Sequence, residues 1–249
     1  MATDARLTKG GRIDRARPIR FRFNGKSYEG LAGDTLASAL LANGVSVTAR
    51  SFKYHRPRGI VGHGVEEPST LVELDGDNAC GNIPATTVSL RDGLQARSVN
   101  CWPSAEYDFG AISQLIARFI PAGFYYKTFK WPGWHLFEPA IRRAAGLAAA
   151  PAAPPASGHF EARHAHADVL IAGAGPAGLM AALVAARSGA RVFIADEGTE
   201  AGGNLLNARY SIAGMPALEW VAQVVAELKD RPNVTHLQNT TIWAYREHN

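Results

Sequence analysis

The chain has 249 residues, 47% of them hydrophobic, which is enough for one or two globular domains with real cores. Its formal net charge of +4 is too small to imply a nucleic-acid partner, and none is expected. The two cysteines, Cys80 and Cys101, are too few and too far apart for a disulfide framework or a zinc site, which leaves a reducing, cytoplasmic setting as the simpler reading. The N-terminus has arginines but no apolar segment or small-residue cleavage site, so it does not read as a secretory signal.

Residues 1–17 are basic and lack hydrophobic period, the mark of a mobile arm or one ordered by docking. Arg6, Lys9, Arg12, Arg15, Arg17, Arg20 and Arg22 crowd this start, and Arg50, Lys53, Arg56 and Arg58 form a second cluster. Both read as solvated surface; the alternative is a patch that faces an acidic partner. From Ile19 the alternation Ile-Arg-Phe-Arg-Phe predicts a half-buried strand, Asn24-Gly25 a two-residue hairpin, and Lys26 to Leu31 the return strand. Asp34 or Thr35 caps a short helix with Leu36, Leu40 and Leu41 on one face, and Gly44 ends it. A hairpin, then a helix, then more strands is the opening of a β-grasp domain, assigned here to residues 18–100.

In ferredoxin-type domains the glycine-rich loop after this helix carries thiolates for a two-iron, two-sulfur cluster, and four are needed. The loop Gly59-Ile-Val-Gly62-His-Gly64 has none, so a ferredoxin-like scaffold without an iron-sulfur cluster is expected, with His55 and His63 as ordinary loop histidines. Further strands are predicted over 70–74, 84–92 and 94–99. Residues 101–147 then form a connecting segment. It comprises a helix from about Ile112 to Phe119, an aromatic run Phe124–Trp134, read as the core of a small helical piece rather than an exposed docking surface, and a helix over 137–147. The Ala/Pro-rich stretch 148–163 is a linker whose prolines disfavour regular structure, and it marks the domain boundary.

Residues 164–249 read as an incomplete dinucleotide-binding domain. The stretch 167–203 runs strand, Gly173-Ala174-Gly175-Pro176-Ala177-Gly178, small-residue helix, second strand, then Asp196-Glu197. Gly173 permits the turn, Gly175 lets backbone approach a pyrophosphate without a Cβ in the way, and Gly178 lets the helix pack close to the strands. Free N–H groups at the helix start, with the positive end of its dipole, suit the pyrophosphate. Asp196 is placed to accept hydrogen bonds from both ribose hydroxyls and repels a 2′-phosphate, which favours NAD or FAD over NADP. Val169 to Ala186 carries no charge, but the glycine turn breaks it as a membrane helix, and no membrane segment is expected.

Glu200-Ala-Gly-Gly203-Asn204 is a second glycine loop of the kind that lies against a bound dinucleotide. Pro216 opens a helix with Leu218, Val221, Val225 and Leu228 on one face, Asn233–Leu237 is a third parallel strand, and Thr240–Tyr245 begins another. Three strands fall short of a full doubly wound sheet. A fragment, or a chain completed by another, is expected, with residues 205–249 protease-sensitive in isolation. The fold class is α/β plus α+β: a cluster-less ferredoxin-like β-grasp domain, then a partial Rossmann-type three-layer domain.

Arg12-Ile-Asp-Arg, Phe23-Asn-Gly, Ser51-Phe-Lys-Tyr-His-Arg-Pro-Arg-Gly-Ile60, Glu66-Glu-Pro, Pro121-Ala-Gly-Phe-Tyr-Tyr-Lys-Thr-Phe129, Glu138-Pro-Ala-Ile-Arg-Arg and the Gly173–Gly178 unit occur in this order. Together they resemble the N-terminal part of the alpha subunit of heterotetrameric sarcosine oxidase. The resemblance implies a cytoplasmic oxidoreductase with beta, gamma and delta partner subunits that converts sarcosine to glycine with oxygen. Its further products would be hydrogen peroxide and formaldehyde or methylenetetrahydrofolate. It implies NAD on this chain, FAD and FMN elsewhere in the complex, and no catalytic residue here. Gly175, Pro176, Ala177 and Gly178 would meet the pyrophosphate, Asp196 and Glu197 the ribose, Gly203 and Asn204 the phosphates, and Trp243 the adenine. Gly198 and Asn204 depart from the side chains common in related sequences. The alternatives are an FAD-binding subunit of an amine, opine or amino-acid dehydrogenase, and an inactive fragment that only docks.

Overall fold

The computed structural model describes residues 6–8, 11–51, 53–76, 80–115, 129–144, 161–207 and 209–246. They belong to two compact units, Met1–Gly158 and His159–Asn249.

The first unit is built on a mixed sheet. Strand β1 (Asp14–Phe23) buries Ile19, Phe21 and Phe23 and exposes Arg20 and Arg22, as the alternation dictates. Asn24 and Gly25 both take positive φ (50° and 78°), the geometry of the tight hairpin turn into β2 (Lys26–Ala32). Helix α1 (Leu36–Ala42) starts at a capping box between Thr35 and Ser38 and is followed by Gly44 at φ 76°. Short strands β3 (Ala49–Arg50) and β4 (Pro57–Arg58) pair with each other; β5 (Leu71–Leu74), β6 (Cys80–Pro84) and β7 (Gln95–Ser98) complete the sheet. Its order is β2-β1-β7-β5-β6, with β1 parallel to β7 and the other neighbours antiparallel. Leu36, Ala37, Ala39 and Leu40 of α1 pack on Phe21, Phe23, Val72 and Ala96 to form its core.

Several expectations are corrected in this unit. The arm does not stay free up to residue 17, because β1 begins at Asp14, and Arg6 grips Asp34 through two hydrogen bonds of 2.8 and 2.6 Å. The reason is charge burial: Asp34 is 3% exposed, and a carboxylate out of water needs partners. Burial pushes its pKa up, but bonds from Arg6, Leu31 N–H and Ser38 Oγ outweigh that and hold it below the ordinary value. Of the two cap candidates, Thr35 is the one that caps the helix, while Asp34 accepts from Ser38 Oγ. Leu41 lies off the core face at 43% exposure. Residues 85–90 are not a strand; they turn back over α1, with Leu36 N–H bonded to Val88 O, and meet it in one bridge, Thr35 to Ser89.

Two buried carboxylates organise the long loops. Glu67, 2% exposed, accepts from the backbone N–H groups of Val61, Gly62, Ser69 and Thr70 at 2.5–3.1 Å. Asp108 accepts from Trp102 N–H and Gly110 N–H at 3.0 Å, and its other oxygen lies 2.7 Å from His55 Nδ1. Arg50 donates to the carbonyls of Ala105, His55 and Glu106, so it is a loop staple rather than part of a solvated cluster. A 3-10 helix, Phe109–Gln114, covers the start of the helix expected from about Ile112, and residues 116–119 of that helix lie outside the described residues. Helix α2 (Trp134–Ala144) begins three residues before its expected start. Lys9, residues 116–128 (the first five of the aromatic run and all but Phe129 of the Pro121–Phe129 string) and residues 148–160 of the proposed linker lie outside the described residues.

The second unit carries strands β8 (Val169–Ala172), β9 (Val192–Ala195) and β12 (Val234–Leu237) in one parallel sheet of order β12-β9-β8. Between them come helix α3 (Pro176–Arg187), the small hairpin β10 (Ser211–Ile212) and β11 (Met215–Pro216), and helix α4 (Ala217–Lys229). Leu179, Ala182, Leu183 and Ala186 of α3 and Val221, Val224 and Leu228 of α4 pack on Val192 and Ile194. The face of α4 thus turns on Val221, Val224 and Leu228, and Leu218 is 45% exposed. Residues 240–245 form no strand, and Trp243 and Tyr245 are exposed. Among the described residues no helix is long and apolar enough to cross a membrane.

Candidate dinucleotide site

The site lies at the C-terminal ends of β8 and β9. Val169 to Ala172 pair in register with Val192 to Ala195, and Gly173 N–H closes the ladder on Ala195 O at 2.7 Å. The chain then turns at Gly173, whose φ of 95° favours glycine. Gly175 is the N-cap of α3 and Pro176 its first residue, so proline costs no hydrogen bond and the first-turn N–H groups, including Ala177 and Gly178, have no intrahelical acceptor. Gly178 could carry no side chain, since a Cβ would sit 1.9 Å from Gly173 O.

Gly175 is different. A Cβ there would meet nothing closer than Gly203 Cα at 4.0 Å, so the space before the helix is an open cradle. The second glycine loop forms its other wall. Gly202 N–H donates to Ala174 O at 2.8 Å, and a Cβ on Gly203, at φ 52°, would lie 3.0 Å from Gly175 Cα. Asn204 is exposed at the start of the 3-10 turn Gly203–Asn207.

Asp196 follows β9 and is turned inward. One carboxylate oxygen accepts from Ala174 N–H at 2.5 Å and the other from Gly198 N–H at 2.7 Å. Asn239 N–H donates to Gly198 O and Thr240 N–H to Asp196 O, which places 239–240 against this corner. His236 on β12 is half-buried and its Nε2 is buried without a partner. Burial lowers its pKa, Lys229 lowers it further, and Asp196 pulls the other way. The structure therefore brings Gly173, Gly175, Pro176, Ala177, Gly178, Asp196, Gly198 and Gly203 together. Glu197 is exposed beside them. Trp243, 81% exposed with Arg246 over its ring, is not packed into the corner, which 239–240 line instead. The sequence reading missed the bonds from Asp196 to Ala174 and Gly198. The signal was present in Asp196-Glu-Gly198, since aspartate often bonds the backbone two residues on.

An open glycine cradle facing unpaired helix N–H groups, beside an inward acid, is the geometry that a dinucleotide-binding βαβ unit requires. Residues 168–247 match the family of FAD dependent oxidoreductases, and residues 16–101 match the family of 2Fe-2S iron-sulfur cluster binding domains. The chain thus joins a region similar to ferredoxin-type domains to one similar to FAD dependent oxidoreductases. The chain is 50% identical over 250 residues to the sarcosine oxidase alpha subunit of Rhizobium meliloti (strain 1021), covering 98% of this chain and 25% of that one. It is 34% identical over 244 residues to the sarcosine oxidase alpha subunit of Corynebacterium sp. (strain U-96), covering 96% and 20%. An opine oxidase subunit of Rhizobium meliloti matches at 38% over 84 residues, 31% of this chain and 16% of that one. Among solved structures, L-proline dehydrogenase from P. horikoshii superposes with a TM-score of 0.52 at 18% identity, over 91% of this chain and 34% of that one, a likeness of fold. The chain is a homologue of the alpha subunits of sarcosine oxidase, and spans a quarter or less of the length of those relatives.

These matches correct both cofactor expectations. NAD as the main dinucleotide is overturned by the FAD-type family of residues 168–247. The motif could not separate the two, because both carry the same adenosine diphosphate half. The expectation of a ferredoxin-like scaffold without an iron-sulfur cluster is overturned by the match over residues 16–101 to the 2Fe-2S iron-sulfur cluster binding domains. That reading relied on missing loop cysteines alone, whereas the match spans residues 16–101. For a cluster, the chain's donors are two thiols, Cys80 exposed and Cys101 half-buried, against the four that such a cluster takes. Burial and the charge of Asp108 raise the pKa of Cys101. Among the described residues no three His, Cys, Asp or Glu stand together as a metal site. This donor set does not fit the group, and no step is routed through it. The cradle does fit an FAD.

Proposed function

We propose that this chain is the FAD-binding part of an oxidoreductase that oxidises a secondary amine of the sarcosine type within a multi-subunit complex. In this reading residues 164–249 are Rossmann-type and hold the adenosine diphosphate half of FAD. The observation that carries it is the open cradle at Gly175, walled by Gly203 and faced by the α3 N-terminus. The first-turn N–H groups of Ala177 and Gly178 would receive the pyrophosphate, and Asp196 the ribose, with Glu197 and Asn204 at the rim and Trp243 outside the core of the site. Bound FAD supplies the two-electron acceptor for amine oxidation. This chain's residues bind and orient its adenosine end. Oxygen as acceptor, hydrogen peroxide and formaldehyde or methylenetetrahydrofolate as products, and beta-, gamma- and delta-type partners belong to the same proposal and rest on the sequence resemblance to heterotetrameric sarcosine oxidase. The similarity to an opine oxidase favours a second reading, in which the same site serves opine oxidation.

Calorimetric titration of the chain with ADP and then FAD tests the proposal. Saturable binding of both at one site, with ADP competing against FAD, is expected. Absence of binding by either would overturn it.

A further inference from the structure

We propose that Asp196 is the positioning residue that sets the glycine loop in its cofactor-ready form before any cofactor arrives, and that Gly198 is required because of it. A carboxylate beside a dinucleotide loop is ordinarily read as a ribose acceptor. Here its two oxygens are already engaged, one by Ala174 N–H at 2.5 Å and one by Gly198 N–H at 2.7 Å. The first bond crosses from the end of β9 to the middle of the loop between β8 and α3. It fixes Ala174, which is fully buried, and so fixes the exit from Gly173 and the entry to Gly175.

The remaining bonds of the corner point the same way. Ala174 O accepts from Gly202 N–H at 2.8 Å, so the residue held by Asp196 also holds the second glycine loop. Thr240 N–H donates to Asp196 O and Asn239 N–H to Gly198 O, anchoring the acid from the side of β12. A Cβ on Gly198 would lie 2.8 Å from Asp196 Oδ1, tighter than carbon and oxygen tolerate without moving the carboxylate. Any side chain at 198 would turn the acid out of the loop. An ionised carboxylate offers about four lone-pair sites. Two hold the protein, and two remain for a ribose diol, so the lock and ligand binding are compatible. The cradle is thus preorganised, and little ordering is left for a ligand to drive.

The meaning of this lock rests on the FAD reading, but its test does not. Hydrogen exchange of the Ala174 amide is measured by NMR in the full chain without cofactor, for the native protein, Asp196→Asn and Gly198→Ala. Asparagine would turn an N–H₂ toward one of the two donors, and alanine at 198 would displace the carboxylate while leaving it in place chemically. Exchange at Ala174 is expected to rise on the order of 10- to 100-fold in both variants, the scale of losing a charge-assisted hydrogen bond. The Gly173 amide, bonded to Ala195 O in the strand ladder, should remain protected, which separates loss of the lock from loss of fold. Restoration of Ala174 protection in Asp196→Glu would further support it. Native-like protection of Ala174 in a folded Asp196→Asn or Gly198→Ala would overturn it. If the native chain fails to bind ADP while these exchange changes occur, the FAD reading falls and the lock stands.

Discussion

Glu67 shows how much of this fold depends on single buried charges. Its carboxylate takes four backbone N–H groups from both sides of the 61–70 loop and is 2% exposed. Burial alone would raise its pKa, yet the four donors prevail and the value lies below the ordinary 4.5. A depressed folded pKa means that the stabilisation is fully present above the unfolded value and is lost as pH falls through the folded one. Glu67→Gln turns an N–H₂ toward donors and should cost about 2–3 kcal/mol, the scale of hydrogen bonds to a charged group. Denaturant titrations from pH 7 down to pH 3 should show the native advantage shrinking below about pH 4.5. A constant difference between the two proteins across that range would contradict this role. None of this was legible beforehand, because Glu66-Glu67-Pro68 reads as an ordinary exposed loop until tertiary contacts bury one glutamate.

At the scale of elements, periodicity carried the reading wherever one face was buried and a neighbour was available. The alternation Ile19, Phe21, Phe23 placed β1, Asn24-Gly25 placed its turn, and the run from Val169 to Arg187 placed β8 and α3. It failed at two stretches. Residues 85–90 direct their backbone bonds to α1 and its cap, and residues 240–245 pair with no strand. Helix faces slipped by one position at Leu41 and Leu218, since hydrophobic spacing alone does not say which side meets the sheet. The close packing of α3 on β8 offers a direct test of the glycine pattern. In Gly178→Ala the new methyl would lie 1.9 Å from Gly173 O and 3.3 Å from Ile171 Cγ2, so backbone has to move. Overpacking of this kind costs about 1–3 kcal/mol. A melting curve for Gly178→Ala that overlays the native one would show that helix and strand are not this close.

For the whole molecule, the candidate site was legible as a site but not as a choice of cofactor. Gly173, Gly175, Gly178 and Asp196 are spaced by a mechanism that any dinucleotide with an adenosine diphosphate half satisfies, so NAD and FAD were equivalent at that level. The family match over residues 168–247 separates them. In the ferredoxin-like unit the fold followed from hairpin, helix and strands, while the absence of loop cysteines pointed away from the family that residues 16–101 match. Gly175 provides the cleanest handle on the central claim. Its φ of −71° is open to any residue, and an added Cβ there meets only Gly203 Cα at 4.0 Å, an ordinary contact. Gly175→Ala should therefore leave the melting temperature unchanged while filling the space into which a pyrophosphate would settle. The decisive measurement is FAD affinity of native chain and Gly175→Ala, taken alongside their melting temperatures. The account predicts that the variant melts with the native protein and loses FAD affinity at least about tenfold, the worth of about 1.4 kcal/mol; equal FAD affinity in the two would contradict it.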